Sequence, residues 1–307
     1  MRVLVSGVAG DIGFGVGRVL QYWGVCERLY GLDVIEDHPG QFVFDQVDLA
    51  PSASDVSYID WIYDYVKAHS IDLFIPTSEA EISIVSRSLS RLQVVTKVLV
   101  NDPDLVSICL DKHKTLQHLA ERGVPVPAHG VVGCDEPDEF PLIVKPRNGQ
   151  GSRGLRKVNS LDDLRSSPTG FVWQKMLLPD QEEYTCAVYA NAHQEMQCIQ
   201  IKRTLIGGYT GKGVVCKNLD ILQYVKKISD VLQVNGCVNV QLRMTEAGPL
   251  LFEINPRLSS TLVFRDKLGF TDLRWWICDF LGLAKLPYLE PPAGTKIYRG
   301  NAEYIFK

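Results

Sequence analysis

Hydrophobic and polar positions divide the chain into short apolar strands and amphipathic helices that alternate through its first third. Residues 2–6 (Arg-Val-Leu-Val-Ser) form a β-branched-rich run, followed by glycines at 7, 10, 13, 15 and 17 and a helical pattern to about Trp23. Residues 29–34 read as a second strand, 55–68 carry helical periodicity, and 71–75 form a buried-strand run that ends at Pro76. Residues 79–92 are helical again and 94–100 are strand-like. Alternation of this kind predicts a parallel sheet with helices on both faces.

A boundary follows at Asn101-Asp102-Pro103-Asp104, where either Asp102 or Asp104 is placed to cap a helix running to about Arg122. Gly123-Val124-Pro125-Val126-Pro127 stops that helix. Residues 128–175 read as a small α+β lobe, with a glycine-rich loop at 149–154 and a short helix near 160–166. Residues 182–204 alternate as strands, 219–232 are helical, 237–243 and 249–255 pair as a hairpin, and 271–283 form a last helix. The expectation is two domains, 1–100 and 101–307, of class α/β followed by two-lobed α+β, with 128–175 as the smaller lobe.

Composition narrows the function classes. Of 307 residues, 46% are hydrophobic and 22% charged, which excludes a disordered chain. With 32 Lys and Arg against 36 Asp and Glu, the net charge of −4 lacks the footprint of a general nucleic-acid binder. The apolar runs fall short of the roughly 18 residues that span a bilayer, and the N-terminus does not read as a signal peptide. Eight cysteines are scattered without a C-x-x-C pair and read as free thiols in a reducing compartment. A cytoplasmic protein without membrane or nucleic-acid partners is the expectation. The six histidines read as surface or structural, and Trp275-Trp276 as core.

The first glycine cluster carries one candidate chemistry. Gly7, Gly10 and Gly13 sit between a strand and a helix, where glycine allows close backbone approach and a helix N-terminus attracts anions. Asp33 ends the second strand, as a ribose-binding acid does in dinucleotide folds. The spacing resembles short-chain dehydrogenases and nucleotide-sugar epimerases, and Tyr63 with Lys67 mimics their Tyr-x-x-x-Lys pair. That pair falls between the second and third strands rather than past the fourth, so a structural glycine turn is the stronger reading.

The second half carries more. Asp111-Lys112-His113-Lys114 opens a helix, and Lys145 ends an apolar strand, where its charge costs desolvation unless an anion meets it. The loop Pro146-Arg147-Asn148-Gly149-Gln150-Gly151-Ser152-Arg153-Gly154 can fold its amides over a polyphosphate, and it is not a Walker A sequence. Gln174, Lys175 and Met176 are candidates for a hinge whose backbone meets an adenine edge, and Glu183 for an acid that accepts ribose hydroxyls. Glu253 and Asn255 share one face of a strand, Gln241 and Arg243 one face of its hairpin partner. Gln241, Glu253 and Asn255 thereby form an oxygen-only set suited to Mg²⁺. Arg257 follows directly, placed to stabilise charge on a transferring phosphoryl group.

This ordered set resembles the ATP-grasp superfamily, specifically its carbamoyl-phosphate-synthase-like branch, over essentially the whole chain. The resemblance implies a Rossmann-like pre-ATP-grasp domain over 1–100 and two ATP-clamping lobes over 101–307. It implies ATP phosphates on Lys112 and Lys145, with Gly149, Gly151, Ser152 and Arg153 in a lid. It implies adenine at Gln174, Lys175 and Met176, ribose on Glu183, and two Mg²⁺ ions, replaceable by Mn²⁺, on Gln241, Glu253 and Asn255. Arg257, with Arg203 as the weaker candidate, would face an acyl phosphate. The implied chemistry is ADP-forming ligation: a carboxylate takes the γ-phosphoryl group and an amine or ammonia then displaces phosphate.

The chain departs from carbamoyl phosphate synthase in having one such site and no glutaminase region, which favours a stand-alone ligase. Its substrates would be small carboxylates and amines. The acceptor region is expected around 76–79, 204–212 and 257–260, with Ser78, Glu79, Lys212 and Ser259 as contacts; Lys202, Arg203 and Lys212 suit an acidic substrate. A homodimer completing the acceptor site is one arrangement. A nucleotide-binding protein of this shape without turnover, and the short-chain dehydrogenase or epimerase, stand as alternatives.

Overall fold

A computed structural model describes residues 1–149, 154–300, 302 and 304. They form two compact units. The first comprises Met1–Pro103 and Arg257–Pro291 with the described residues from Arg299; the second comprises Asp104–Pro256 and Pro292–Tyr298.

In the first unit, β1 (Arg2–Ser6), α1 (Asp11–Trp23), β2 (Arg28–Asp33), β3 (Gln46–Leu49), α2 (Tyr58–Ala68), β4 (Leu73–Ile75), α3 (Glu79–Arg87), α4 (Leu89–Leu92) and β5 (Lys97–Val98) alternate as the hydrophobic pattern predicts. The sheet order is β3-β2-β1-β4-β5, and every pairing is parallel. Leu4, Leu32 and Phe74 on the strands meet Ile62 and Val66 of α2 and Val85 of α3 in one core. Each such side chain contributes about 2 kcal/mol by leaving water. The chain reverses between β1 and β4, the switch point at which open α/β sheets place ligands.

The glycine cluster at that point has a local explanation. Gly7 holds φ +67°, and a Cβ on Gly13 would meet the Gly7 carbonyl oxygen at 2.3 Å. The loop and the first turn of α1 are therefore too close for any other residue at position 13. Asp33 closes the same turn: its carboxylate accepts from the Ala9 amide at 2.7 Å and the Ile35 amide at 3.1 Å. Tyr63 and Lys67 lie on α2, with the ammonium 5.3 Å from the ring centroid, a local cation–π contact.

In the second unit, α5 (Pro103–Leu110) and α6 (Lys112–Glu121) replace the single helix expected to reach Arg122. Asp111 causes the break. Its carboxylate accepts from the His113 and Lys114 amides and starts a new helix. A small sheet of β6 (His129–Val131), β7 (Leu142–Lys145), β8 (Arg156–Val158) and β9 (Val172–Lys175), with α7 (Leu161–Arg165), has the order β6-β9-β7-β8. Val132, Leu142, Val144, Val158, Leu164 and Trp173 form its core.

The larger sheet contains β10 (Glu183–Ala190), β11 (Met196–Ile206), β12 (Tyr209–Cys216), β13 (Gly236–Thr245) and β14 (Gly248–Asn255), and is crossed by α8 (Leu219–Leu232). One face packs Cys186, Val188, Val240, Leu242, Leu251 and Ile254 against Ile221, Val225 and Ile228 of α8. Alternation sends the polar residues of the same strands to the opposite face. The chain then forms α9 (Leu262–Lys267) and α10 (Asp272–Leu281) in the first unit, with Trp275 and Trp276 buried. The last strand among the described residues, β15 (Lys296–Tyr298), lies antiparallel to β12 at the edge of the large sheet. No helix among the described residues is long and apolar enough to cross a membrane.

Candidate functional site

The polar face of the large sheet brings together residues far apart in sequence. Across the β13–β14 hairpin, Asn239 pairs with Asn255 and Gln241 with Glu253. On the next strand Thr185 lies opposite Gln241 and Glu183 opposite Arg243. The Thr185 hydroxyl donates to Asn239 Oδ1 at 2.8 Å, which fixes that amide.

Two lysines converge on this face. Lys145 ends β7 and is buried; its Nζ donates to Gln174 Oε1 at 3.0 Å and to the Phe252 carbonyl at 2.7 Å. Burial pulls its ammonium down from 10.5 to about 8, Glu253 opposing and nearby Lys112 adding to the fall. Lys112, at the start of α6, donates to the Gly149 carbonyl at 2.6 Å and stands 3.4 Å from Glu253 Oε1. Two ammonium groups thus flank one carboxylate, an arrangement whose spare positive charge suits a polyanion. Gly149 holds φ +120°, which turns its carbonyl toward Lys112.

Arginines organise the rest of the face. Arg203 donates to Glu183 Oε1 from Nε at 3.0 Å and to Gln241 Oε1 from Nη2 at 2.7 Å. Arg243 Nη2 reaches Glu183 Oε2 at 3.1 Å, and Arg243 Nη1 donates to the Leu177 carbonyl at 2.7 Å. Glu183 is therefore clamped by two guanidinium groups, and the oxygen of Gln241 lies under Arg203. Arg147 forks onto Asp111, from Nε at 3.1 Å and Nη2 at 2.7 Å to Oδ2, and ties the start of the glycine loop to the cap of α6. Desolvation raises the Asp111 carboxyl, but the bonds from Arg147 and from the α6 amides outweigh it and leave the pKa below its usual value.

At the expected hinge, the Lys175 amide donates to the Ala128 carbonyl at 2.8 Å and the Met176 amide to the Pro141 carbonyl at 3.1 Å. The side chain of Gln174 is buried against Lys145, and Lys175 pairs with Glu139 at the surface. Lys212 is exposed on β12, and Lys202 pairs with Glu182. Gly151, Ser152 and Arg153 lie outside the described residues.

The first unit holds the remaining candidates. Arg257 Nη2 donates to Glu79 Oε1 at 2.8 Å. Asp11 stands in the field of Arg299 and Arg257; burial raises its carboxyl against their opposing pull. Ser78 is engaged in a capping box: its hydroxyl donates to Glu81 Oε2 at 2.6 Å and accepts from the Glu81 amide at 3.3 Å. Ser259 is buried and accepts from Arg265 Nη1 at 3.0 Å. Arg265 also donates to Thr261 Oγ1 at 2.9 Å and from Nε to Asp272 Oδ2 at 2.9 Å, so a buried ion pair holds the loop after Arg257.

Sequence reasoning missed the parts played by Arg243, Arg147 and Arg265. Arg243 shares the face of Gln241, and that alternation was the available signal. Its partner Glu183 follows from the β10–β13 register, which no local pattern encodes.

The donor set fits a hard divalent cation. Glu253 supplies a carboxylate and Asn255 an amide oxygen from alternate positions of one strand, as Mg²⁺ prefers. No group of three His, Cys, Asp or Glu that could hold a metal ion occurs among the described residues.

The fold that carries these residues is shared with known proteins. Residues 174–295 match the family described as ATP-grasp in the biosynthetic pathway with Ter operon. The carbamoyl phosphate synthase large chain of Caldanaerobacter subterraneus subsp. tengcongensis is 26% identical over 195 residues, covering 56% of this chain and 18% of that protein. The matched stretch is thus less than a fifth of the relative's length. The L-amino acid ligase of Bacillus licheniformis superposes with a TM-score of 0.74 at 16% identity, over 91% of this chain and 74% of the other. The biotin carboxylase domain of the Hydrogenobacter thermophilus 2-oxoglutarate carboxylase, solved with MgADP and bicarbonate, gives 0.72 at 13% identity, over 94% and 71%. The chain thus has the fold of these ATP-dependent ligases and carboxylases, and over part of its length it is similar to an ATP-grasp family and to carbamoyl phosphate synthase large chains.

Proposed function

We propose that the protein is an ATP- and Mg²⁺-dependent ligase that activates a small carboxylate as an acyl phosphate and joins it to an amine or ammonia, releasing ADP and phosphate. The observation that carries this reading is the convergence of Lys112 and the buried Lys145 on Glu253, on a sheet face lined with oxygen donors. In this reading Lys112 and Lys145 neutralise the ATP phosphates. The segment of Gln174, Lys175 and Met176 borders the base, and Glu183 lies toward the ribose. Glu253 and Asn255 hold Mg²⁺, with Gln241 on the strand opposite; the ion would draw charge from the phosphoryl oxygens, and Mn²⁺ is expected to substitute. The MgADP in the Hydrogenobacter structure supports the choice of cofactor.

The chemistry needs no nucleophilic side chain. A substrate carboxylate oxygen bonds to the γ-phosphorus as the bond to ADP breaks. The amine lone pair then bonds to the acyl carbon as phosphate departs, and the amine loses a proton. Fixed charges supply the catalysis. We assign Arg257 to the acyl phosphate and Glu79 and Ser259 to the acceptor end. Lys212 belongs to the acidic-substrate contacts; Ser78 serves by fixing the turn that presents Glu79. The shared fold of the Bacillus licheniformis protein, an L-amino acid ligase, supports this class of reaction, and the free thiols suit a cytoplasmic setting.

Hydroxylamine trapping tests the intermediate. Incubation with Mg-ATP, a pool of small carboxylates and hydroxylamine is expected to yield an acyl hydroxamate together with ADP. ADP without hydroxamate across every pool would remove the acyl phosphate from the reading.

A further inference from the structure

Gln241 lies opposite Glu253, where a second cation would draw on its amide oxygen. That oxygen already accepts from Arg203 Nη2 at 2.7 Å. The guanidinium is no surface arm: its side chain is 9% exposed, and it is anchored on Glu183 Oε1 at 2.9 Å. Glu183 in turn serves Arg243 through its other oxygen at 3.1 Å. Arg243 pairs with Asp180 as well, so the two guanidiniums are matched by two carboxylates, and Arg203 is held in place with one of its N–H groups committed to Gln241. A divalent ion on the second lone pair of the same oxygen would stand within about 5 Å of that guanidinium. Two cations so close, beside a guanidinium only 9% exposed, repel one another. Glu253 differs, because its cationic neighbour is the ammonium of Lys112 on a flexible stem at 3.4 Å.

We propose that the Arg203 guanidinium takes the place of a second divalent cation beside Gln241, so that this protein holds one divalent ion per bound nucleotide, on Glu253 and Asn255. The inference rests on the Mg-ATP reading above. It assigns Gln241 to the positioning of Arg203 and gives the site a fixed positive charge that does not dissociate. Once ATP is fully converted to its Mg²⁺ complex, further free Mg²⁺ is then expected to leave nucleotide affinity unchanged.

Counting Mn²⁺ by electron paramagnetic resonance, with a saturating non-hydrolysable ATP analogue, tests the proposal without turnover. The wild type is expected to bind one Mn²⁺ per analogue. Arg203→Ala, which releases the Gln241 oxygen, is expected to bind two. Gln241→Ala is expected to keep one, with Mn²⁺ affinity within about threefold of wild type, and serves as the second variant should Arg203→Ala not fold. Two ions in the wild type, one in folded Arg203→Ala, or a tenfold weaker Mn²⁺ site in Gln241→Ala would overturn the proposal. Analogue binding with the wrong ion count defeats this inference alone, whereas no nucleotide-dependent Mn²⁺ at all would defeat the Mg-ATP reading and the inference with it.

Discussion

Lys145 makes the account quantitative. Its ammonium sits at about 8 in the folded protein against 10.5 in an exposed lysine. Between those values the unfolded chain binds the proton that the folded chain has lost, so unfolding free energy rises with pH across that window. Below pH 8 the charged lysine costs the ligand-free protein about 3 kcal/mol relative to a neutral one; by pH 9.5 the cost falls to about 1 kcal/mol. Lys145→Met removes this dependence. It also leaves Gln174 Oε1 and the Phe252 carbonyl without their donor, which costs about 1–3 kcal/mol for each group. The substitution is therefore expected to change stability little at pH 7 while abolishing nucleotide binding. The wild type should then gain about 2 kcal/mol on the variant between pH 7 and pH 9.5. Urea denaturation of both proteins at several pH values measures the difference. Parallel stability curves would refute the claim that Lys145 is held charged at a desolvation cost, and with it the case for an anion-binding role.

Three further outcomes follow from other parts of the molecule. Asp111→Asn keeps an oxygen for the α6 amides but loses the charged fork from Arg147, and should cost about 2 kcal/mol at pH 7. Because the folded-state pKa of Asp111 is depressed, that difference should fade as the pH drops below 4, which chemical denaturation at pH 3 and pH 7 would reveal. Arg265 and Asp272 are each 1% exposed; Arg265→Met alone should cost about 3–5 kcal/mol, and Asp272→Leu in the same chain should recover most of it in a urea titration. Gly13→Ala places a methyl group 2.3 Å from the Gly7 carbonyl oxygen and should lower stability by about 1–3 kcal/mol, read as a fall in melting temperature.

The alternating pattern of 2–100 made the parallel sheet legible, because strands buried on both faces and amphipathic helices leave distinct periods. The hairpin of β13 and β14 was legible for the same reason: alternation and spacing put Gln241 and Glu253 on one face, and the structure has them in register. What escaped depends on contacts distant in sequence. The break between α5 and α6 turns on Asp111, whose carboxylate reads equally as a solvated helix residue until Arg147 is placed beside it. β12 is rich in glycine, which weakens any strand signal, yet pairing with β11 and β15 holds it in the sheet. The return of Arg257–Pro291 to the first unit rests on burial of α9 and α10 there, which no local periodicity announces. The clamp of Arg203 and Arg243 on Glu183 is likewise a matter of register across three strands.

The central claim is that a carboxylate and an amine drive ATP cleavage at the face built around Glu253. ADP release, measured with Mg-ATP across pools of small carboxylates with ammonia or amino acids, tests it most directly, with Glu253→Ala as the control. The account predicts at least one pool that stimulates ADP release in the wild type and fails to do so in the variant. Stimulation that survives Glu253→Ala, or a wild type that binds no ATP, would contradict it.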